Sequence, residues 1–450
     1  MTGGPMRDTL VQVRSFNRPI RLLLINQLTI NLGFYMLMPY LAGHLSGDLG
    51  LATWLVGLIL GVRNLSQQGL FLLGGSLADR LGYKPLILAG LALRTVGFAL
   101  LGFAGSLPAL LVASALTGLA GALFNPAVRA YLAAEAEDRR VEAFAVFNVF
   151  CQVGVLIGPL LGLALGGIAF QVTCTVAAGV FAVLTLAQAR ALPTRRGGRA
   201  GTGGGMVRDW REAATNRAFM LFSLAMIGSY VLNFQVYLGL PIEVRRLTGG
   251  QSGVMLVFAV SALMSVIGQV RVTSWAKARW SPPQAIAVGL ALMGCAFLPL
   301  AGASLVDGAP GAGGYWGAPG IAFAIAMVPV LTTTVLLTLA TMIVYPFEMA
   351  TIVTLGGERL VGTYYGLYNT LAGIGIAAGN LATGAALDAG RRAGLPALPW
   401  LTLAAGGALC AGAVHVLRRT GRLTQAGEPA SSSAPLSGQR MRTAPVKLDQ

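Results

Sequence analysis

Apolar runs of about the length of a membrane-crossing helix recur twelve times along the chain, and no other sequence feature constrains its fold as strongly. They fall at 20–43, 52–74, 85–105, 107–133, 142–165 and 170–192, then at 218–241, 253–272, 284–305, 319–346, 361–387 and 397–417. A helix needs ~20 such residues to cross the ~30 Å hydrocarbon core of a bilayer. In that solvent each backbone N–H and C=O must be satisfied within the segment, and for runs of this length a helix does so. The predicted fold is an all-α polytopic membrane protein, its twelve transmembrane helices forming two six-helix bundles related by pseudo-two-fold symmetry. Composition agrees: the chain is 55% hydrophobic and 11% charged, with mean hydropathy +0.71, where soluble domains carry about a quarter charged residues.

The net charge of +16 raises the question of nucleic acid, but the cations form no patch interleaved with aromatics. They sit in loops and tails. With both termini inside, 25 of the 32 Lys and Arg fall in cytoplasmic segments, four outside (Arg245, Arg246, Arg391, Arg392) and three within spans (Arg63, Arg94, Arg129). That bias predicts an inner-membrane protein with cytoplasmic termini. Trp54, Trp316 and Trp400 are then expected at outer interfaces, and Trp275 and Trp280 at an inner one. Met1 to Pro19 is polar and basic and the first apolar run is too long for a signal peptide, so that run reads as span 1. The expected organisation is a cytoplasmic segment 1–19, an N-terminal bundle 20–192, a linker 193–217, a C-terminal bundle 218–417 and a disordered tail 418–450. The linker, rich in Gly and Arg, reads as flexible.

An internal repeat supports two halves. Span 1 carries Asn31, Tyr35 and Pro39, and span 7 carries Asn233, Tyr237 and Pro241, each triplet at i, i+4 and i+8 on one helical face. Parallel repeats of this kind are what two bundles related by an axis along the membrane normal leave in a sequence.

Between spans 2 and 3 lies Gly75-Ser-Leu-Ala-Asp79-Arg80-Leu-Gly82-Tyr83-Lys84. This segment resembles the signature loop between helices 2 and 3 of the major facilitator superfamily of secondary transporters, departing at Tyr83, where the family usually has Arg. The resemblance implies that Asp79 braces the cytoplasmic gate, with Gly75, Arg80, Gly82 and Lys84 completing the loop. A physical reason exists, because span 11 begins near Val361-Gly362-Thr363 and a helix N-terminus presents unpaired N–H groups and positive dipole. Arg80 can pair with Glu135, Glu137 or Asp138. The alternative is a solvated turn that only sets topology. The corresponding loop of the second half, Ala276 to Ser281, lacks the Gly and Asp.

Span 5 holds Gly154, Gly158, Pro159 and Gly162. Glycines four apart let helix backbones approach closely, and Pro159 frees a carbonyl and bends the helix. The segment resembles the antiporter motif of exporters in the superfamily, with Leu163 in place of a final Gly; small-residue packing is the alternative. Span 4 with its exit, Gly118 to Arg129, is similar to the bacterial twelve-span multidrug exporter branch. Two departures stand out: span 1 has Asn26, Gln27 and Asn31 but no acid, and the Arg expected in mid-span 4 is missing. All 16 acids fall at span ends or in loops, which leaves Glu348, just after Pro346, as the coupling candidate by elimination.

Arg63 and Arg94 lie mid-span, where a guanidinium is costly unless it meets a wet cavity or a partner. They serve either a polar or anionic ligand, in a cavity shared with Asn31, Tyr35, Gln67, Asn233 and Tyr237, or hydrogen bonds to carbonyls and amides such as Gln67 and Gln68. The four cysteines all sit in apolar runs without a CxxC pair, so no metal or cofactor is expected. The resemblance implies secondary active export of a small amphipathic drug or natural product, neutral or anionic, by alternating access; no phosphate-binding loop points to an ATP-driven pump and no catalytic constellation to an enzyme. Protons are the expected coupling ion, the bilayer the partner, and the monomer the working unit. Uptake of a metabolite by the same fold, or a non-transporting sensor or scaffold, are the alternatives.

Overall fold

The computed structural model describes residues 5–51, 53–166, 170–194, 205–248, 252–306, 321–421 and 423. The expected tail beyond 423, the middle of the linker at 195–204, and Trp316 lie outside them. Among the described residues all regular structure is helical. Spans 1 to 6 are Arg18–Gly43, the pair Thr53–Gly69 and Phe71–Leu81, then Tyr83–Phe103, Leu107–Ala136, Arg140–Gly166 and Phe170–Ala191. Spans 7 to 12 are the pair Arg217–Phe234 and Gly239–Thr248, then Ser252–Arg279, the pair Pro282–Cys295 and Leu298–Val306, then Ile321–Gly356, Val361–Arg392 and Leu398–Arg419.

Among the described residues ten stretches are long and apolar enough to cross a membrane by length and hydropathy, and one of them, Leu107–Gly162, contains both span 4 and span 5. Span 2 is absent from those ten. Arg63, Asn64, Gln67 and Gln68 lower the hydropathy of its first piece, and the helix breaks at Leu70, after Gly69. A polar helix in this position must turn those groups inward, since lipid offers them no partner.

Three differences from the sequence reading affect the site. Span 10 continues through Pro346 to Gly356, so Glu348 lies inside a helix rather than beyond its end. Span 8 continues to Arg279. The linker, expected to be flexible, contains a ten-residue helix, Met206–Thr215, with Asp209 and Ala213 buried. Asn216 follows it and caps span 7, its side-chain oxygen accepting from the Phe219 amide at 3.1 Å.

Within the first bundle span 1 packs on spans 5 and 6, and span 3 on spans 4 and 6; within the second, span 9 packs on spans 10 and 12, and span 7 on spans 11 and 12. The bundles meet where the second piece of span 2 crosses span 11 and where span 5 meets spans 8 and 10. Glycines make the first crossing possible. A Cβ on Gly362 would stand 2.5 Å from the Gly75 carbonyl oxygen, and one on Gly366 would stand 2.5 Å from that of Phe71. Asp79, the linker helix and the start of span 11 lie together at one end of the molecule, the linker face.

Candidate functional site

At the linker face the Asp79 carboxylate sits on the first turn of span 11. Its Oδ1 accepts from the Gly362 amide at 2.8 Å, and its Oδ2 from the Thr363 amide and hydroxyl, both at 2.7 Å. Asp79 is 3% exposed. A carboxylate on two free amides at a helix N-terminus gains both charge-assisted hydrogen bonds and the dipole. Three residues on, Gly82 takes φ +91°, a conformation that a side chain would strain, and this turn starts span 3 at Tyr83. Lys84 lies half-buried in that first turn.

The linker helix fastens the same place from outside. Asp209 accepts from Arg80 of the first bundle at 2.5 Å and lies 3.9 Å from Arg359 of the second. Arg359 also binds Glu212, whose hydrogen bond raises the guanidinium above its ordinary pKa. The Trp210 indole N–H donates to the Ser76 hydroxyl at 2.6 Å, and Ser76 is in turn bonded to Thr363. Further ion pairs cross between bundles, Arg140 with Glu358 at 2.7 Å and Lys277 with Glu142 at 2.5 Å. The sequence offers the acids after span 4 as partners for Arg80; the structure pairs it with Asp209 of the linker helix. The alternation of acids and Trp210 in Asp209-Trp-Arg-Glu212 was the available signal.

Between the bundles lies a cavity of about 210 Å³. Span 4 contributes Arg129, span 5 Asn148 and Gln152, span 7 Tyr230, Asn233 and Tyr237, and span 10 Thr341, Tyr345 and Glu348. Arg129 donates to Asn369 Oδ1 of span 11 at 3.0 Å and bonds Tyr345. Glu348 is 4% exposed and accepts from the Tyr368 hydroxyl, with Tyr230 also bonded to it. One bundle therefore supplies the cavity's cation and the other its carboxyl. The sequence sets Glu348 at a span end and assigns Arg129 no role; the structure puts both on the cavity wall. Arg129 was nonetheless visible as the third arginine inside a span.

The remaining predicted cavity residues separate into three places. Asn233 and Tyr237 line the cavity; Asn233 accepts from Thr341 at 3.3 Å. Tyr35 is hydrogen-bonded to Tyr237, so the two repeat tyrosines meet across the bundles. Asn31 donates to the Cys151 carbonyl at 3.2 Å and belongs to the contact of span 1 with span 5. Arg63 donates to Gln67 and Asn64, each at 2.9 Å, with its guanidinium 4.6 Å from the Phe34 ring. Arg94 is 6% exposed inside the first bundle, 5.7 Å and 5.9 Å from the rings of Phe124 and Phe181. Neither Arg63 nor Arg94 is among the lining residues of the cavity.

The span 5 motif has a packing role. A Cβ on Gly154 would stand 2.7 Å from the Leu28 carbonyl oxygen, and one on Gly158 would stand 2.8 Å from Tyr35 Cβ. Gly162 is buried and Pro159 lies inside the helix. Span 5 thus lies against span 1 along the face that carries Asn31 and Tyr35.

Two six-helix bundles around a polar cavity to which both contribute define a polytopic membrane transporter of a small molecule. Residues 23–380 match the Major Facilitator Superfamily model, and the chain belongs to that superfamily. It is 48% identical over 415 residues to an MFS-type transporter of Mycobacterium tuberculosis, covering 91% of this chain and 95% of that one. It is similar to the multidrug resistance protein MdtH of Proteus mirabilis, 29% identical over 394 residues with 87% and 93% of the two chains covered. The MdtH of Edwardsiella ictaluri is 30% identical over 384 residues, covering 85% and 89%. Among solved structures, the human organic anion transporter MFSD10 (TETRAN) has the same fold, with a TM-score of 0.67 over 88% of this chain and 99% of that chain at 19% identity.

Proposed function

We propose that this protein is a proton-coupled exporter of small amphipathic molecules, neutral or anionic, in the bacterial inner membrane. Its linker face and both termini lie in the cytoplasm, an orientation supported by the 25-to-4 bias of Lys and Arg. The observation that carries the reading is Glu348, a buried carboxyl on the cavity wall bonded to Tyr368 and facing a cavity whose cation, Arg129, comes from the other bundle. Such a group has partners in either protonation state and reaches solvent through the cavity. Arg129 offers an anionic substrate a countercharge, whereas the carboxyl is already engaged by two tyrosines. Export is supported by the span 5 glycines, which resemble the antiporter motif, and by relatives bearing the name multidrug resistance protein.

Alternating access then means rocking the bundles about the cavity, with Asp79 on span 11 closing the cytoplasmic side in the state described here. The deciding experiment is accumulation in everted vesicles with a panel of neutral, anionic and cationic compounds, with and without a pH gradient. Gradient-driven accumulation of neutral or anionic compounds is expected. Accumulation indifferent to the gradient for every compound would end the coupling reading, and gradient-driven loss from the vesicles would reverse the direction.

A further inference from the structure

Arg63 of span 2 and Arg94 of span 3 lie inside the first bundle, close enough for their charges to repel. Their surroundings join them. The Arg63 guanidinium is 4.6 Å from the ring of Phe34 on span 1, and that of Arg94 is 5.7 Å from Phe124 of span 4 and 5.9 Å from Phe181 of span 6. Gly33, beside Phe34, packs on the Phe181 ring, where a Cβ would stand 2.7 Å from Cζ. Gln67, which accepts from Arg63, packs on Gly121 of span 4, one turn before Phe124. Both cations therefore border one interior spot walled by spans 1, 2, 3, 4 and 6.

No carboxylate is built into that spot. Span 1, the first piece of span 2, span 3 and span 6 contain no Asp or Glu, and span 4 carries its one acid, Glu135, in its last turn. Hydrogen bonding is incomplete as well. Arg63 donates to Asn64 and Gln67, but its Nε is buried without an acceptor. Arg94 is 6% exposed, its Nε has no acceptor, and among the described residues its guanidinium donates no hydrogen bond. Aromatic rings engage the face of a guanidinium and leave its in-plane N–H edges to find acceptors elsewhere. Buried polar groups are nearly always bonded, and two like charges at this depth in a bilayer are costly without a countercharge.

We infer that this spot binds one halide ion of about the size of chloride, which accepts from the N–H edges of both Arg63 and Arg94 and serves as their counter-ion. Charge selects an anion, and the walls select a small one. The contacts of Gly33 with Phe181 and of Gly121 with Gln67 leave no room for the chain of an organic anion. Arg63 is only half-buried, so the ion reaches the pair past its side chain, and Arg94 holds it from the deeper side. Neither arginine lines the cavity between the bundles, so the site is independent of what the protein transports.

The test uses the full-length protein in detergent, melted in sodium chloride, bromide or gluconate at equal ionic strength. Radiochloride binding is measured by equilibrium dialysis on the same samples. The melting temperature should rise to a plateau with chloride and with bromide and stay flat with gluconate, and radiochloride should bind saturably. Arg63→Gln and Arg94→Gln should each weaken chloride binding by about ten-fold or more, since each removes a charged donor. Arg129→Gln should leave it unchanged. Arg63→Gln alone decides the matter if Arg94→Gln does not fold. Melting that responds alike to the three salts, with no saturable radiochloride, would overturn the inference. So would chloride binding lost in Arg129→Gln but kept in Arg63→Gln, which would move the ion to the cavity between the bundles.

Discussion

Asp79 and Thr363 are 284 residues apart in the chain, yet the carboxylate of one accepts from both the amide and the hydroxyl of the other at 2.7 Å. No covalent proximity helps this contact; it exists because the second piece of span 2 crosses the start of span 11, which joins the two bundles at the linker face.

Replacing Asp79 by Asn keeps one acceptor oxygen and turns an N–H₂ group toward the Thr363 amide. A hydrogen bond to a buried charged group contributes ~1.5–3 kcal/mol, so the closed population should fall by about 10- to 100-fold relative to the open one. Transport should drop at least ten-fold with membrane insertion unchanged. Normal transport by a well-inserted Asp79→Asn protein would reduce the loop to a topological anchor.

The linker helix should contribute less. Arg80 and Arg359 are partly exposed, and such pairs stabilise by ~0–1 kcal/mol each. Asp209→Asn and Trp210→Ala are expected to slow transport by several-fold and to raise amide exchange across 206–215 in the same samples. Exchange unaltered in both variants would show that the helix is held by something else.

Glu348→Gln removes the only titratable carboxyl that lines the described cavity. Efflux should no longer follow the pH gradient, while substrate binding, measured by equilibrium dialysis in detergent, persists. Tyr368→Phe, which deletes one donor to the carboxyl, should shift the pH dependence of efflux without abolishing it. Gradient-driven efflux at full rate in Glu348→Gln would transfer the role to Asp79 or to the substrate's own proton.

Arg129 and Arg94 should separate on substrate charge. Arg129 faces the cavity, so Arg129→Gln should weaken binding of anionic compounds and spare neutral ones. Arg94 lies among phenylalanines inside the first bundle, so Arg94→Gln should leave that selectivity alone and alter thermal stability instead. The reverse pattern in a binding assay would put the anion site in the first bundle.

Gly158→Ala places a methyl 2.8 Å from Tyr35 Cβ and 3.0 Å from the Leu32 carbonyl oxygen. Overpacking of this kind costs ~1–3 kcal/mol, and spans 1 and 5 must separate slightly to relieve it. The melting temperature in detergent should fall, and Gly154→Ala should behave alike because its obstacle is also backbone. A Gly158→Ala protein as stable as the parent would mean that the two spans move apart freely.

The spans, the paired halves and the Asp79 loop were legible in the sequence because each depends on local pattern: apolar length, periodicity and a ten-residue motif. The helix of the linker was not, since its ten residues are too short to mark an element by apolar length and are ordered by what Asp209 and Trp210 touch. Glu348 was assigned to a span end because Pro346 reads as a stop. In the structure the helix runs on, since neighbouring helices and local adjustment satisfy the backbone groups that a membrane proline frees. Composition and pattern thus determined that this chain is an all-helical membrane protein of twelve spans, but not where each helix ends. Which side chains meet was decided by tertiary structure alone. Asp79 with Thr363, Arg80 with Asp209, and Arg129 with Asn369 are pairings between helices far apart in sequence, set by how the bundles pack and not by spacing along the chain.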